Sequence, residues 1–215
     1  MKKIPILSLV VCCCMYAAVA HATLIGYNNR ASFNSQGSIA FNYGYEDFTG
    51  SPYYLPGDPW TSHGVTYTTT RNLIVGPSLG YGNSSNVFAF NFYTPLTATI
   101  SPNFDMFALD LAVLGTESPL NFQIKTNLAT YTYNNLNVLE VQHGLDFYGF
   151  VAGAGEFFTS FRLDSVNGVG SAPVIDNVTL GNSTPQPPTV PEPSTLFLLG
   201  VGLLGVGMLK KRIRR

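Results

Sequence analysis

Within the strand-like run 104–114, Leu109, Leu111 and Val113 fall on one side of an extended chain and Asp110 on the other. The same period of two sets Phe122 and Ile124 against Gln123 and Lys125. That alternation marks a strand with one buried and one wet face. Further strand-like runs fall at 64–70, 86–93, 96–101, 120–126, 128–133, 138–142, 145–151, 157–163 and 174–180. Gly, Asn, Pro or Ser separates them, and these residues favour turns over continued pairing. Between residues 23 and 181 no stretch keeps a helical 3.6-residue period, and no internal repeat occurs. So many short strands in one stretch of chain predict an all-β domain over 23–181, a two-sheet β-sandwich of jelly-roll type.

The two ends follow a different pattern. Lys2 and Lys3 precede an apolar run over 4–20, and Ala20-His21-Ala22 supplies small residues at alternate positions. A basic start, an apolar stretch and an A-x-A site describe a secretory signal peptide, here 1–22, to be removed by signal peptidase. Cys12, Cys13 and Cys14, the three cysteines of the chain, all lie inside it. The mature protein is therefore expected to have neither disulfides nor thiol chemistry. At the other end, 182–189 is a Pro-rich linker without apolar periodicity, suited to an extended spacer. Val190, Pro191, Glu192, Pro193 and Ser194 follow, then an uncharged run over 195–209, then Lys210, Lys211, Arg212, Arg214 and Arg215. A helix over that run spans about 22 Å, short of a hydrocarbon core of roughly 30 Å. It predicts a short transmembrane helix that grips the membrane marginally, with its basic stop-transfer end in the cytoplasm and the body outside.

In their order, Pro191-Glu192-Pro193, a short Gly/Leu-rich helix and a basic cluster, residues 190–215 resemble the PEP-CTERM sorting signal of exopolysaccharide-making Gram-negative bacteria. The resemblance implies a partner, exosortase, a membrane-embedded peptidase or transpeptidase acting near the Pro-Glu-Pro. It also implies transient residence in the inner membrane before delivery to the cell surface or extracellular matrix. Gly200, Gly202 and Gly205 spell a dinucleotide-binding fingerprint within the same helix. That motif has meaning only between a strand and a helix of a βαβ unit, a context absent here.

Composition sharpens the picture. Of 215 residues only 11% are charged, whereas 46% are apolar. The formal charge of −1 conceals segregation, because the basic residues crowd the two ends. Residues 23–181 hold four basic against eleven acidic side chains, a net of −7. Phosphate binding needs clustered Lys and Arg, so nucleic acid is excluded as a partner.

Candidate chemistry in the body is sparse. Glu46-Asp47-Phe48, Gly64-Val65-Thr66-Tyr67 and Ile175-Asp176-Asn177-Val178 are similar in layout to galactose-binding-like β-sandwiches, some of which bind calcium near their chain ends. The resemblance implies Glu46, Asp47 and Asp176 as oxygen ligands for Ca2+, a hard cation; the plain alternative is that they start turns and cap a strand. Trp60, with Tyr53 and Tyr54 in a turn-rich segment, offers rings for stacking on glycan, or else plugs the end of the core. Two body histidines, His63 and His143, each precede a glycine. No G-x-S-x-G elbow or H-E-x-x-H motif accompanies them. The chain thus reads as a non-enzymatic exported protein, structural or glycan-binding in an exopolysaccharide or biofilm setting. A secreted polysaccharide hydrolase with the same sorting signal is the alternative.

Overall fold

The computed structural model describes residues 24–45, 53–54, 59–69, 73–77, 86–90, 95–115, 119–166 and 171–184. Fourteen strands cross these residues: β1 Ile25–Tyr27, β2 Gly37–Tyr43, β3 Tyr53–Tyr54, β4 Trp60–Ser62, β5 Val65–Thr68, β6 Leu73–Pro77, β7 Asn86–Phe90, β8 Leu96–Phe104, β9 Met106–Gly115, β10 Leu120–Thr126, β11 Thr130–Leu136, β12 Asp146–Val151, β13 Phe158–Ser165 and β14 Ser171–Ser183. One short helix, α1 Arg30–Asn34, follows β1. Among the described residues no helix is long and apolar enough to cross a membrane; the span expected at 195–209 lies outside them.

The strands form two antiparallel sheets. The larger runs β1-β12-β9-β14-β7-β6-β3, with β2 also paired to β14, and the smaller runs β11-β10-β13-β8-β5-β4. From β7 onward successive strands alternate between the sheets, except that β10 and β11 are neighbours. This winding is a jelly roll, the architecture expected from the strand pattern. The N-terminal strands extend it: β1 beyond β12, β6 and β3 beyond β7, and β5 and β4 beyond β8.

Alternation drives the packing. Leu109, Leu111 and Val113 of β9, with Ile175, Val178 and Leu180 of β14, face Phe122, Ile124, Phe161 and Leu163 of the smaller sheet. The aromatic rings interlock: Phe161 stacks on Phe107 at 5.0 Å between centroids and meets Phe122 edge-on at 6.3 Å. The outer face of the larger sheet is covered as well. There Phe33 of α1 packs with Met106, Ala108 and Val151, and Val141 packs with Ala112 and Val174.

Residues 138–142, read as a strand, are not one. Val138 and Val141 are both buried, a spacing of three that a strand cannot direct to one face. The segment instead makes a single bridge, Val113 to Glu140, and a 3-10 turn at Val141–His143. The last strand also reaches further than the pattern suggests. Asn182 and Ser183 pair with Ser38 and Gly37 of β2, and the Thr184 hydroxyl donates to the Gln36 carbonyl at 2.9 Å. The first two residues read as linker therefore belong to the sheet.

Candidate binding cleft at the rim of the sandwich

The hairpin β4–β5 pairs Trp60 with Tyr67, Thr61 with Thr66 and Ser62 with Val65. Only His63 and Gly64 remain to close it, at φ +48° and +81°. A two-residue connection with both φ positive is the type I′ turn whose twist suits paired strands. Glycine adopts it without strain, and His is among the residues that tolerate it better than most. The turn carries the imidazole to the open rim between the sheets. There its Nδ1 shares a 2.7 Å hydrogen bond with the Ser62 hydroxyl, and the ring lies 4.2 Å from that of Tyr43, tilted by 31°.

Tyr43 and Phe41 alternate on β2 and form the facing wall. Phe41, 38% exposed, stands edge-on to His63 at 6.0 Å and to Phe104 at 5.9 Å. Val65, Tyr67, Val178 and Leu180, all buried, floor the shallow dent between them. The rim combines apolar ring faces with a hydroxyl and an imidazole, a mixture suited to stacking and directed hydrogen bonds at the surface.

Behind this wall the aromatic packing continues inward. The hydroxyls of Tyr45 and Tyr67 are buried and share a 2.8 Å hydrogen bond. Burial pushes both phenols well above their usual range, the nearby partner ring adding to the rise at Tyr45. Burial likewise pushes Tyr148 up to about 12. A phenol whose pKa rises on folding leaves stability intact below the unfolded value near 10 and removes it as pH climbs past that value. Melting temperature is therefore expected to be flat from pH 8 to 9.5 and to fall above about 10. In Tyr45→Phe/Tyr67→Phe, melts over the same range should show a shallower alkaline decline; an unchanged decline would refute the assignment.

Trp60 is half-buried, stacked on Tyr67 at 5.4 Å and 6.1 Å from Tyr45. It reinforces the wall from the core side. Tyr53 and Tyr54 form β3, at the edge of the larger sheet, where they pair with Val75 and Ile74; Trp60 begins β4 in the smaller one.

A second polar group lies on the outer face of the larger sheet. Asn29 caps α1, its side-chain oxygen accepting from the Ser32 N–H at 3.0 Å, and this fixes the start from which Arg30 projects. Arg30 Nη2 donates to Asp110 Oδ1 at 2.7 Å and Nη1 to Thr179 Oγ1 at 3.1 Å, with the guanidinium 4.6 Å from the Phe147 ring centre. Opposite, the β14–β9 register shifts between Asp176 and Thr179, and Asn177 takes φ +47°. This bulge turns the Asn177 amide so that Nδ2 donates to Asp110 Oδ2 at 2.8 Å and to Asp176 Oδ2 at 3.3 Å. The Asn177 backbone N–H donates to Asp176 Oδ1 at 2.7 Å.

Asp176 is thus 1% exposed with both oxygens accepting from Asn177, and the charge of the neighbouring Asp110 is balanced by Arg30. A carboxylate suits calcium chemically, but its other two expected ligands, Glu46 and Asp47, lie outside the described residues. Among the described residues no three His, Cys, Asp or Glu side chains gather to hold a metal ion. The sorting residues Val190 to Ser194 and the basic Lys210 to Arg215 also lie outside the described residues. Sequence reading missed the wall of Phe41 and Tyr43 and the Arg30–Asp110–Asn177 network. Trp60, which stacks on Tyr67 behind the wall, and the His63-Gly64 turn are the features of the sequence that point to the cleft.

Comparison with known proteins completes the picture. Curated proteins yield no match. Among solved structures, the chain is similar to the CBM22-1 xylan-binding domain from Paenibacillus barcinonensis Xyn10C, at 12% identity and TM-score 0.39, over 69% of this chain and 97% of that one. It is also similar to a family 29 carbohydrate-binding module complexed with mannohexaose, at 11% identity and TM-score 0.33, over 76% and 94% of the two chains. A family 11 carbohydrate-binding module from Clostridium thermocellum aligns at 11% identity and TM-score 0.33, over 67% and 98%. Residues 189–215 match the PEP-CTERM protein-sorting motif, so the chain carries a signal for exosortase-dependent export and sorting to the cell envelope or surface.

Proposed function

We propose that this is a surface protein of a Gram-negative bacterium that binds glycan without cleaving it, in an exopolysaccharide or biofilm matrix. Signal peptidase removes 1–22, the 195–209 helix pauses in the inner membrane, and exosortase acts near Pro191-Glu192-Pro193. The basic end from Lys210 to Arg215 keeps that helix from passing through. The sandwich, spaced from the membrane by the Pro-rich linker, then meets polymer at the rim cleft. Phe41, Tyr43 and His63 supply ring faces there and Ser62 a hydroxyl, with Trp60 buttressing them from behind.

The match of 189–215 to the sorting motif carries the delivery part of this reading. The exposed ring of Phe41 beside Tyr43 and His63 supports the glycan part. Intact mass of the protein recovered from the native surface fraction tests delivery. A chain ending near Pro191–Pro193 is the expected result. A chain running to Arg215 would overturn processing and leave a plain membrane-held domain.

A further inference from the structure

The outer face of the smaller sheet carries side chains unlike those of every other surface described. Register places them in two rows across its strands. Thr130, Lys125, Ser160, Thr99, Thr66 and Thr61 stand opposite one another in turn, as do Thr132, Gln123, Arg162, Thr97 and Thr68. Their inward neighbours, Phe122, Ile124, Phe161, Leu163, Ala98 and Tyr67, are core, so strand geometry turns these rows outward. Thr61, Thr68, Thr99, Gln123, Lys125, Thr130, Thr132 and Arg162 are exposed, and no described helix or turn packs on them. The larger sheet differs, its outer face being partly closed by α1 and the 141–143 turn.

Charge distinguishes this face further. The described residues include three basic side chains, Arg30, Lys125 and Arg162. Arg30 is committed to Asp110. The other two stand on adjacent strands: Lys125 opposite Ser160 and Arg162 opposite Gln123, hence diagonal neighbours with Cα atoms roughly 7–8 Å apart. Arg162 also pairs with Asp164 at 3.0 Å in an exposed contact, weak enough to exchange for another carboxylate. Lys125 makes no ion pair among the described residues. The face therefore keeps a net positive charge on a body of −7.

We propose that this face holds a linear polysaccharide bearing carboxylates, of the uronic-acid class; the inference rests on the glycan-binding reading above and adds the polymer class and a second surface. Three features favour that occupant. The rows carry no aromatic or large apolar side chain, so neutral sugar rings find no stacking platform. Hydroxyl and amide groups repeated at the strand spacing suit a polymer rich in hydroxyls along its length. Lys125 and Arg162 supply charge-assisted hydrogen bonds to carboxylate, Arg162 in bidentate form. The acidic remainder repels a polyanion and so confines contact to this one face.

Affinity electrophoresis of the full-length protein through gels containing polygalacturonate, neutral xylan or dextran tests the inference. Retardation by polygalacturonate is expected, falling with added salt, and Lys125→Gln/Arg162→Gln should weaken it about tenfold. The conservative Lys125→Arg should keep it, with circular dichroism melts reporting that each variant folds. Unchanged retardation of the double variant overturns the assignment. So does its loss in Phe41→Ala/Tyr43→Ala alone, which would place the polymer in the cleft. Retardation only by xylan or dextran overturns the anionic class and leaves the glycan reading standing; no retardation in any gel fells both. Equal retardation by single-stranded DNA would make the face a general anion binder and overturn the polysaccharide assignment.

Discussion

Phe161→Ala is expected to lower the unfolding free energy by about 4 kcal/mol, the range for a fully enclosed aromatic ring replaced by a methyl group. Phe161 is 1% exposed and lies on β13, an inner strand of the smaller sheet. Its ring meets Phe107 of the larger sheet at 5.0 Å, Phe122 at 6.3 Å and Tyr67 at 6.4 Å. Truncation therefore removes one of the ring contacts that join the two sheets rather than a peripheral one. Collapse around the gap is resisted because Phe107, Phe122 and Tyr67 are held by separate strands. Against a total of roughly 5–15 kcal/mol, the loss is a large share of the margin. Guanidinium unfolding curves provide the check, with Arg162→Ala on the wet side of the same strand as control, expected within about 0.5 kcal/mol of the parent. A Phe161→Ala loss below about 1 kcal/mol would mean that the sheets are not joined through this ring.

Asp110→Ala is expected to cost about 2–3 kcal/mol, because it takes from Arg30 its charged acceptor and from the turned amide of Asn177 the shorter of its two contacts. The contacts at stake are short, 2.7 Å from Arg30 and 2.8 Å from Asn177, and the aspartate side chain is only 14% exposed. Asp110→Asn should lose less, since it keeps the shape and one acceptor while giving up the charge. A double-mutant cycle with Arg30→Ala isolates the pair, and a coupling of about 1 kcal/mol is expected for a guanidinium that retains partial solvent access. Strict additivity of the two single losses would show that α1 is not fastened through this contact.

What could be read from the chain alone follows from the range of the forces involved. β10 alternates cleanly because one of its faces is in the core and the other in water, whereas β9 is buried on both faces and shows its period only around Asp110, which accordingly reads as a polar, outward residue. Its enclosure does not follow from that pattern, since the cover comes from Arg30 and Phe33, in a helix 80 residues earlier in the case of the ion pair. Strands β1, β3 and β4 are two or three residues long and too brief to display a period. β2 is longer but mostly exposed, so its apolar and polar positions do not sort by burial. The His63-Gly64 dipeptide announced a turn, yet nothing local announces that its imidazole would stack on Tyr43. The bulge at Asn177 was hidden for a related reason: an asparagine at positive φ looks in sequence like any other turn residue.

The position of β14 has a mechanical consequence. This strand is the last described segment before the tail, pairs with β9 along much of its length, and pairs with β2 as far as Ser183. A pull directed along β14 would load its ladder bonds together in shear instead of unzipping them singly. Such a load would be borne by the most heavily paired of the described strands. The Thr184 and Ser183 contacts at the exit, to Gln36 and Asp105, are the first to feel that load.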